Sequence, residues 1–394
     1  MDMSLEVAAM ESHPPIEPGS LAGGILIAIH RLSHGGADRV MVHLANGFAR
    51  AGIPTAVAVL RDRGEGEAAL LGMLDRKVRV GHAGTPMGSR HLELLRGRSY
   101  LRNLADRAKP SLVLASSNNM GLVTGLSRRH RSGGPAYLMK FTNPVIRPED
   151  HTSVKRAYRR RLYALVFGNF DRVLTLSEEE SATLSGLYPE QQDKFVVATN
   201  PYVTDAMING APDRSATSAP TIVCLARLMP QKRLDNLLRA FAKMIEPERR
   251  LVIVGDGPER SRLEGLARQL GIDDRVSMPG FAEDPIPALR NADLLALSSD
   301  YEGLPAVVFE ALACNVPVVT TDSFDAARAV LLGVPRSAVV PVGDIDALAR
   351  AMDDSLSLRA AKIDLRSRAR AFGFDAAVKS HLAVLRPYLE RRAG

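Results

Sequence analysis

Short apolar runs alternate with amphipathic stretches of helical period along nearly the whole chain. In the first half the apolar runs are GILIAIH (24–30), TAVAVL (55–60), SLVLA (111–115), AYLMKF (136–141), RVLTL (172–176) and KFVVA (194–198). Each is too short for a stable helix and nearly unbroken in its hydrophobicity, which predicts strands of a parallel sheet buried on both faces. Helical patterns lie between them, including residues 38–51 and 178–186. The second half restarts the alternation with TIVCLA (221–226), RLVIVG (250–255), RVSM (275–278), DLLALS (293–298), VPVVT (316–320) and AVVPV (338–342). Such a pattern predicts α/β architecture with doubly wound sheets. Residues 209–220 are rich in Gly, Ala, Pro, Ser and Thr and read as an exposed linker. Two Rossmann-like halves follow, with a ligand cleft expected between them, outside the carboxyl ends of their strands.

A chain of 394 residues agrees with two domains. Cys224 and Cys314, the only cysteines, both sit in apolar runs and read as buried thiols in a reducing cytoplasm, with no disulfide or metal framework. Residues 1–20 mix acidic groups with prolines and lack an apolar segment, so a disordered tail is expected there and a signal peptide is not. The run 21–29 is too short to span a bilayer. The net charge of +7 is uneven: residues 76–161 hold nineteen Lys and Arg against four Asp and Glu. That local excess of about fifteen leaves the rest of the chain net acidic by about eight. The basic region therefore faces something anionic, whether a membrane surface, a phospholipid-linked acceptor or nucleic acid. Nucleic acid is disfavoured, because aromatics are 5% of the chain and form no interleaved stacking stripe. The segment SVKRAYRRRLYALVF (153–167) reads either as a helix packed on the sheet with a solvated basic face or as one resting on anionic lipid.

The chemistry concentrates in SSDYEGLPAVVFEALACNVPVVTTD (298–322). A helix starting near Pro305 leaves the amides of Ala306 and Val307 at an N-terminus that attracts phosphate. Glu302 precedes that end, and Glu310 leans back toward it from the next turn. Upstream, TIVCLA leads to Arg227 and then Lys232, two cations able to neutralise a diphosphate leaving group; a solvated pair near a helix start is the plain alternative. Gly35 and Gly36 stand before a helix after the first strand, where the backbone can approach a phosphate or simply turn. Gly255 and Gly257 in VIVGDGPE, and Gly280 with Phe281 in MPGFAEDP, could line a nucleotide pocket or form ordinary turns. No G-x-G-x-x-G dinucleotide fingerprint is present.

Taken in order, Gly35–Gly36, Arg227–Lys232, GDGP, PGF and Glu302-x7-Glu310 resemble the retaining GT-B glycosyltransferases of glycosyltransferase family 4. The likeness runs from about residue 24 to about residue 345, and includes FDRVLTLSEEE (170–180) and ATNP (198–201). It implies an N-terminal acceptor domain (21–205), a linker (206–220), a donor domain (221–375) and a closing helix (376–394) that recrosses to the first domain. It also implies roles. Arg227 and Lys232 would hold the donor diphosphate, with Gly35 and Gly36 approaching it. Gly255, Gly280 and Phe281 would lie along the nucleotide, with the base near Gly280 and Phe281. Glu310 would bind the ribose, Glu302 the donor sugar, and the segment Leu304, Pro305, Ala306, Val307 would complete the diphosphate site.

Many family members carry a histidine after the strand corresponding to SLVLA, where this chain has Ser116, Ser117, Asn118 and Asn119. Asn118 and Asn119 could hydrogen-bond a sugar or acceptor hydroxyl, but an amide is no general base. His30 and His34 remain near the Gly-Gly turn, with His34 the candidate for an acceptor or sugar contact. The expected protein is a cytoplasmic retaining transferase, peripheral on the inner face of the plasma membrane. It would use a UDP- or GDP-sugar as co-substrate, without metal or other cofactor, and a glycan or lipid-linked acceptor. A nucleotide-sugar epimerase or hydrolase on the same fold, and a non-catalytic polysaccharide-binding module, are the alternatives.

Overall fold

A computed structural model of the chain describes residues 13–32, 36–61, 67–84, 90–129, 133–146, 150, 152–210, 219–359 and 363–390. It divides into two compact units: one takes the chain through Ile146, Asp150–Pro201 and Phe374 onward, the other Tyr202–Gly373.

The first unit is built on seven parallel strands. They are β1 (Ile25–Ile29), β2 (Thr55–Val59), β3 (Arg79–His82), β4 (Leu112–Ala115), β5 (Ala136–Lys140), β6 (Arg172–Thr175) and β7 (Phe195–Val197), in spatial order β3-β2-β1-β4-β5-β6-β7. β1, β2 and β4 are buried at every position, as their solid apolar sequences require. The helices that matter below are α1 (Gly36–Arg50), α2 (Arg90–Ala108), α3 (Asn118–Ser127), α4 (Ser153–Gly168) and α5 (Glu178–Leu187). The start of α5 shows why the chain turns helical there. Ser177 Oγ accepts the amide of Glu180 at 3.1 Å, and the Glu180 carboxylate reaches back to the amide of Leu176 at 2.6 Å. This reciprocal cap satisfies donors that would otherwise be orphaned, and losing its serine would cost about 1 kcal/mol.

The second unit holds six parallel strands: β8 (Thr221–Leu225), β9 (Arg250–Val254), β10 (Val276–Gly280), β11 (Leu294–Leu297), β12 (Val318–Thr321) and β13 (Ala338–Val340). Their order is β10-β9-β8-β11-β12-β13. Among its helices are α6 (Asp205–Asn209), α7 (Leu234–Ala242), α8 (Arg260–Gln269) and α9 (Ala306–Ala313). The last helix among the described residues, α10 (Phe374–Glu390), packs on α1 in the first unit. A side chain at Gly47 of α1 would begin 2.3 Å from Val378 Cγ2, so the closeness of this pair depends on the missing Cβ. Cys224 and Cys314 are buried thiols, and burial pushes them up to about 12 and about 11. No helix among the described residues is long and apolar enough to cross a membrane.

The structure revises three sequence readings. Residues 13–20, assigned to a disordered tail, run along the outer edge of the first sheet. Pro15 bridges Val80, Arg79 donates to the Pro15 carbonyl at 2.8 Å, and the Gly19 amide donates to the Arg107 carbonyl at 2.8 Å. The strand they border, β3, was missed because RVGH carries a glycine, two basic-type residues and no apolar run, as suits a half-buried edge. The units part at Pro201 and Tyr202, ahead of the expected linker, because Tyr202 stacks on Phe309 (centroids 5.1 Å, 8° between planes) and binds the second unit early.

One buried polar cluster in the first unit titrates in an accessible range. Lys140 Nζ, at the end of β5, lies 2.8 Å from His381 Nε2 of α10, while His381 Nδ1 lies 2.9 Å from the Ala377 carbonyl. The carbonyl can only accept, so Nδ1 carries the proton and Nε2 receives the lysine's. Burial brings the Lys140 amine down to about 7, with the Glu180 carboxylate pulling the other way. Burial and the Lys140 charge hold His381 well below its ordinary range. Because the unfolded lysine titrates near its ordinary value of 10.5, the unfolded chain binds more protons between pH 7 and that value, and stability rises with pH across this window. Lys140→Met should therefore show its greatest relative stability below pH 7 and lose that advantage as pH climbs toward 10. Denaturant midpoints of both proteins across the range check this; a constant difference would refute it.

Candidate active site

In the second unit the strands wind outward from β8 to β10, then restart on the other side with β11. The reversal lies between β8 and β11, and in doubly wound sheets ligands bind outside the carboxyl ends at such a point. The loops leaving these two strands are stitched together. Ser298 Oγ donates to the carbonyls of Lys232 and Arg233, both at 2.9 Å, and the Asp300 amide donates to the Gln231 carbonyl at 2.9 Å. Lys232 Nζ meets Glu302 Oε1 at 2.5 Å, and Ser299 Oγ donates to that same oxygen at 2.7 Å. The Glu302 amide is tied to the Ser323 carbonyl at 2.7 Å. With side chains 17% and 11% exposed, the pair is nearly withdrawn from water yet reachable.

Arg227 leaves the end of β8 exposed, and its side chain makes no hydrogen bond or ion pair among the described residues. Arg233, beside Lys232, has a different task. It occupies a left-handed backbone conformation (φ 46°), caps α7 and spends its guanidinium on Asp235, Asp300 and Asn236.

The next two loops are pinned to the first. The Gly255 amide donates to the Gly280 carbonyl at 2.8 Å, and the Leu228 amide to the Asp256 carbonyl at 2.9 Å. Arg260, at the start of α8, donates to the carbonyls of Gly255 (3.1 Å) and Met278 (3.0 Å) while bridging Asp256 and Glu264. Gly255 adopts φ 143°, and a Cβ there would sit 2.0 Å from the Ala226 carbonyl oxygen. Phe281, 52% exposed, follows at the outer edge.

On the β11 side, α9 spans Ala306–Ala313 and Pro305 is its capping residue, one position before the first helical place expected for it. No side chain caps this end, so the amides of Ala306 and Val307 point outward unmatched by the helix. Leu304 is buried and its carbonyl accepts the Tyr202 hydroxyl at 3.0 Å, which fixes the approach to the helix. Glu310 is half-buried in the second turn. Arg227, Lys232, Gly255, Gly280, Glu302 and the α9 N-terminus thus gather along the carboxyl edge of one sheet. Among the described residues no group of three or more His, Cys, Asp or Glu is placed to hold a metal ion.

In the first unit the strand order reverses between β1 and β4. His34 and Gly35, after β1, lie outside the described residues. Gly36 opens α1 with free space where a side chain would stand. After β4, Ser117 caps α3. Asn118 is engaged by its neighbours: its amide nitrogen donates to the Asn143 carbonyl (2.8 Å) and the Tyr163 hydroxyl (3.1 Å), and its oxygen accepts from Thr142 N (2.7 Å) and Oγ1 (3.2 Å). Those four bonds saturate it. Asn119 is exposed and makes no side-chain bond among the described residues.

Two family models divide the chain between them: Glycosyltransferase Family 4 matches residues 34–206, and Glycosyl transferases group 1 matches residues 211–372. The chain belongs to this glycosyltransferase family. Its relatives include the lipopolysaccharide core biosynthesis glycosyltransferase LpsE of Rhizobium meliloti, 26% identical over 89% of this chain and 96% of the relative. An exopolysaccharide phosphotransferase of Streptomyces coelicolor is 32% identical, but the match takes 48% of this chain and spans only 21% of that protein. Among solved structures, Anabaena HepE in complex with UDP and glucose shares the fold, with TM-score 0.72 and 19% identity over 92% of this chain and 99% of its own. The two parallel-sheet domains are thus those of the GT-B glycosyltransferases.

Within the family pattern, sequence reasoning missed Ser299 and the direct bond between Lys232 and Glu302. A signal for Ser299 was present, since a small hydroxyl three residues before a loop carboxylate is well placed to hold it. Gly255→Ala should cost about 3 kcal/mol or more, through strain and collision with the Ala226 carbonyl. Gly36→Ala, with open space around it, should stay within about 1 kcal/mol of the parent. Urea denaturation separates the two, and equal effects would contradict the geometry.

Proposed function

We propose that the protein transfers a sugar from a nucleoside-diphosphate sugar to an acceptor hydroxyl, with retention at the anomeric carbon, in glycan biosynthesis. The observation that carries this reading is the Lys232–Glu302 pair at the strand reversal, beside the open N-terminus of α9. A diphosphate placed there meets Lys232, the exposed Arg227 and outward-pointing amides, all matched to the charge that grows on a departing phosphate. Glu302, held by Ser299, presents its second oxygen to the hydroxyls of the donor sugar. Glu310 takes the ribose, and the base lies against the pinned Gly255–Gly280 loops with Phe281 at the rim.

In the reaction the bond between the anomeric carbon and the diphosphate oxygen breaks, and the acceptor oxygen bonds to that carbon from the same face. The acceptor's proton passes to the departing phosphate, so the step needs no separate base. The cations and amides supply the neutralisation, and most of the acceleration comes from positioning. The HepE complex with UDP and glucose supports a nucleotide sugar as donor, and the role of LpsE in lipopolysaccharide core biosynthesis supports a glycan acceptor carried on lipid.

Lys232→Ala and Glu310→Gln should each lower transfer by roughly a hundredfold or more while the protein still unfolds cooperatively. Thermal shifts with UDP, GDP, ADP and dTDP and their sugars identify the donor, which should raise the melting temperature of the parent and not of Lys232→Ala. Full turnover in both variants would overturn the site. Sugar release or epimerisation without any acceptor would overturn transfer as the reaction.

A further inference from the structure

The segment that carries Glu302 leaves β11, but it is held from behind by the end of β12. The two strands pair with Leu297 opposite Thr320, so Ser298 and Ser299 leave β11 beside Thr321, the last residue of β12. Ser298, Ser299, Thr320, Thr321 and Ser323 are all buried at these strand ends. A hydroxyl withdrawn from water needs a partner, and each of these donates to a backbone carbonyl or to Glu302.

Thr321 reaches both ends of the segment 299–302. Its Oγ1 donates to the Ser299 carbonyl at 2.7 Å. Its own carbonyl accepts the Ser323 amide at 2.8 Å, closing a turn that aims the Ser323 carbonyl at the Glu302 amide, 2.7 Å away. Inside this bracket Ser299 Oγ and Lys232 Nζ both bind Glu302 Oε1, and the second carboxylate oxygen makes no hydrogen bond among the described residues. The oxygen that is spent inside the protein is thus set by where β12 pins the loop.

We propose that Thr321 is a positioning residue for donor recognition: through Ser299 and the Ser323 turn it holds Glu302 so that one carboxylate oxygen stays available to a hydroxyl of the donor's sugar. The inference rests on the reading of Glu302 as the sugar ligand and adds what makes that contact accurate. A carboxylate free to rotate meets a hydroxyl in only some of its arrangements, whereas one fixed on two donors meets it already aligned. Lys232 keeps a separate anchor, Ser298 Oγ on its carbonyl, so slack at Thr321 reaches the sugar contact before the diphosphate.

Titrations of the full chain with UDP and UDP-glucose, and with GDP and GDP-mannose, test this in the parent and in variants. Thr321→Val keeps the branched shape and loses the hydroxyl. For the pair that the parent binds, the ratio of sugar-nucleotide to diphosphate affinity should fall about tenfold, with the diphosphate affinity itself changed by less than about twofold. Ser299→Ala, which cuts the inner bond alone, should reproduce that fall, and Thr321→Ser should restore the ratio. Thr320→Val removes a neighbouring buried hydroxyl that reaches only the Thr321 carbonyl, so it should lower the melting temperature comparably and leave the ratio at the parent's value. In a Glu302→Gln background Thr321→Val should change the ratio no further, because it acts through that carboxylate. An unchanged ratio in Thr321→Val, an equal fall in Thr320→Val, or a full further loss in the Glu302→Gln background would overturn the proposal. Hydrogen exchange at the Glu302 amide reads the bracket without any ligand: it should quicken about tenfold in Thr321→Val and recover in Thr321→Ser. A parent that binds none of these nucleotides would overturn the donor reading instead, and the exchange rates would still decide whether Thr321 holds the loop.

Discussion

The loops gathered at the carboxyl edge of the second sheet hang on one contact between two of them. Lys232 follows β8 and Glu302 follows β11, and their side chains meet at 2.5 Å because the sheet reverses between those strands. A lysine or a glutamate left alone at such low exposure would be costly, and each lowers that cost for the other. The bond also fixes position. Ser298 holds the backbone of Lys232, Ser299 holds the carboxylate of Glu302, and the remaining loops are laced to this base through Leu228, Gly255 and Arg260. A charged ligand entering here meets groups already aligned, so little ordering is left to do on binding.

The fold was legible because its strands are buried on both faces and therefore written as solid apolar runs. β1, β2, β8 and β9 fall within a residue or two of their sequence assignments for that reason. β3 was illegible because an edge strand needs no such run, and the course of residues 13–20 was illegible because its partners, β3 and the end of α2, are remote in sequence. At the carboxyl edge of the second sheet the individual residues were legible and their wiring less so. Glu302 and Lys232 could each be named as ligand groups, yet they lie 70 residues apart, and their pairing follows from strand order alone. Asn118 shows the reverse case. A polar residue after β4 looked available for a ligand, but Thr142, Asn143 and Tyr163, remote in sequence, consume its whole bonding capacity. Only Asn119, its neighbour, is left outward.

The first unit is discontinuous along the chain: α10 returns to it after the whole second unit has intervened. The seat that α10 fills is specific, with a bare Gly47 facing Val378 and the Lys140 amine facing His381. During synthesis from the N-terminus, β5 and α1 therefore emerge long before the segment that covers them. Until then Lys140 keeps a hydrated, ordinary ammonium group, and it surrenders that hydration only when the last helix arrives. α10 thus acts as the closing stitch of the unit whose strands are synthesised first. A chain ending before α10 would leave the Lys140 amine without His381 and Gly47 without Val378 against it.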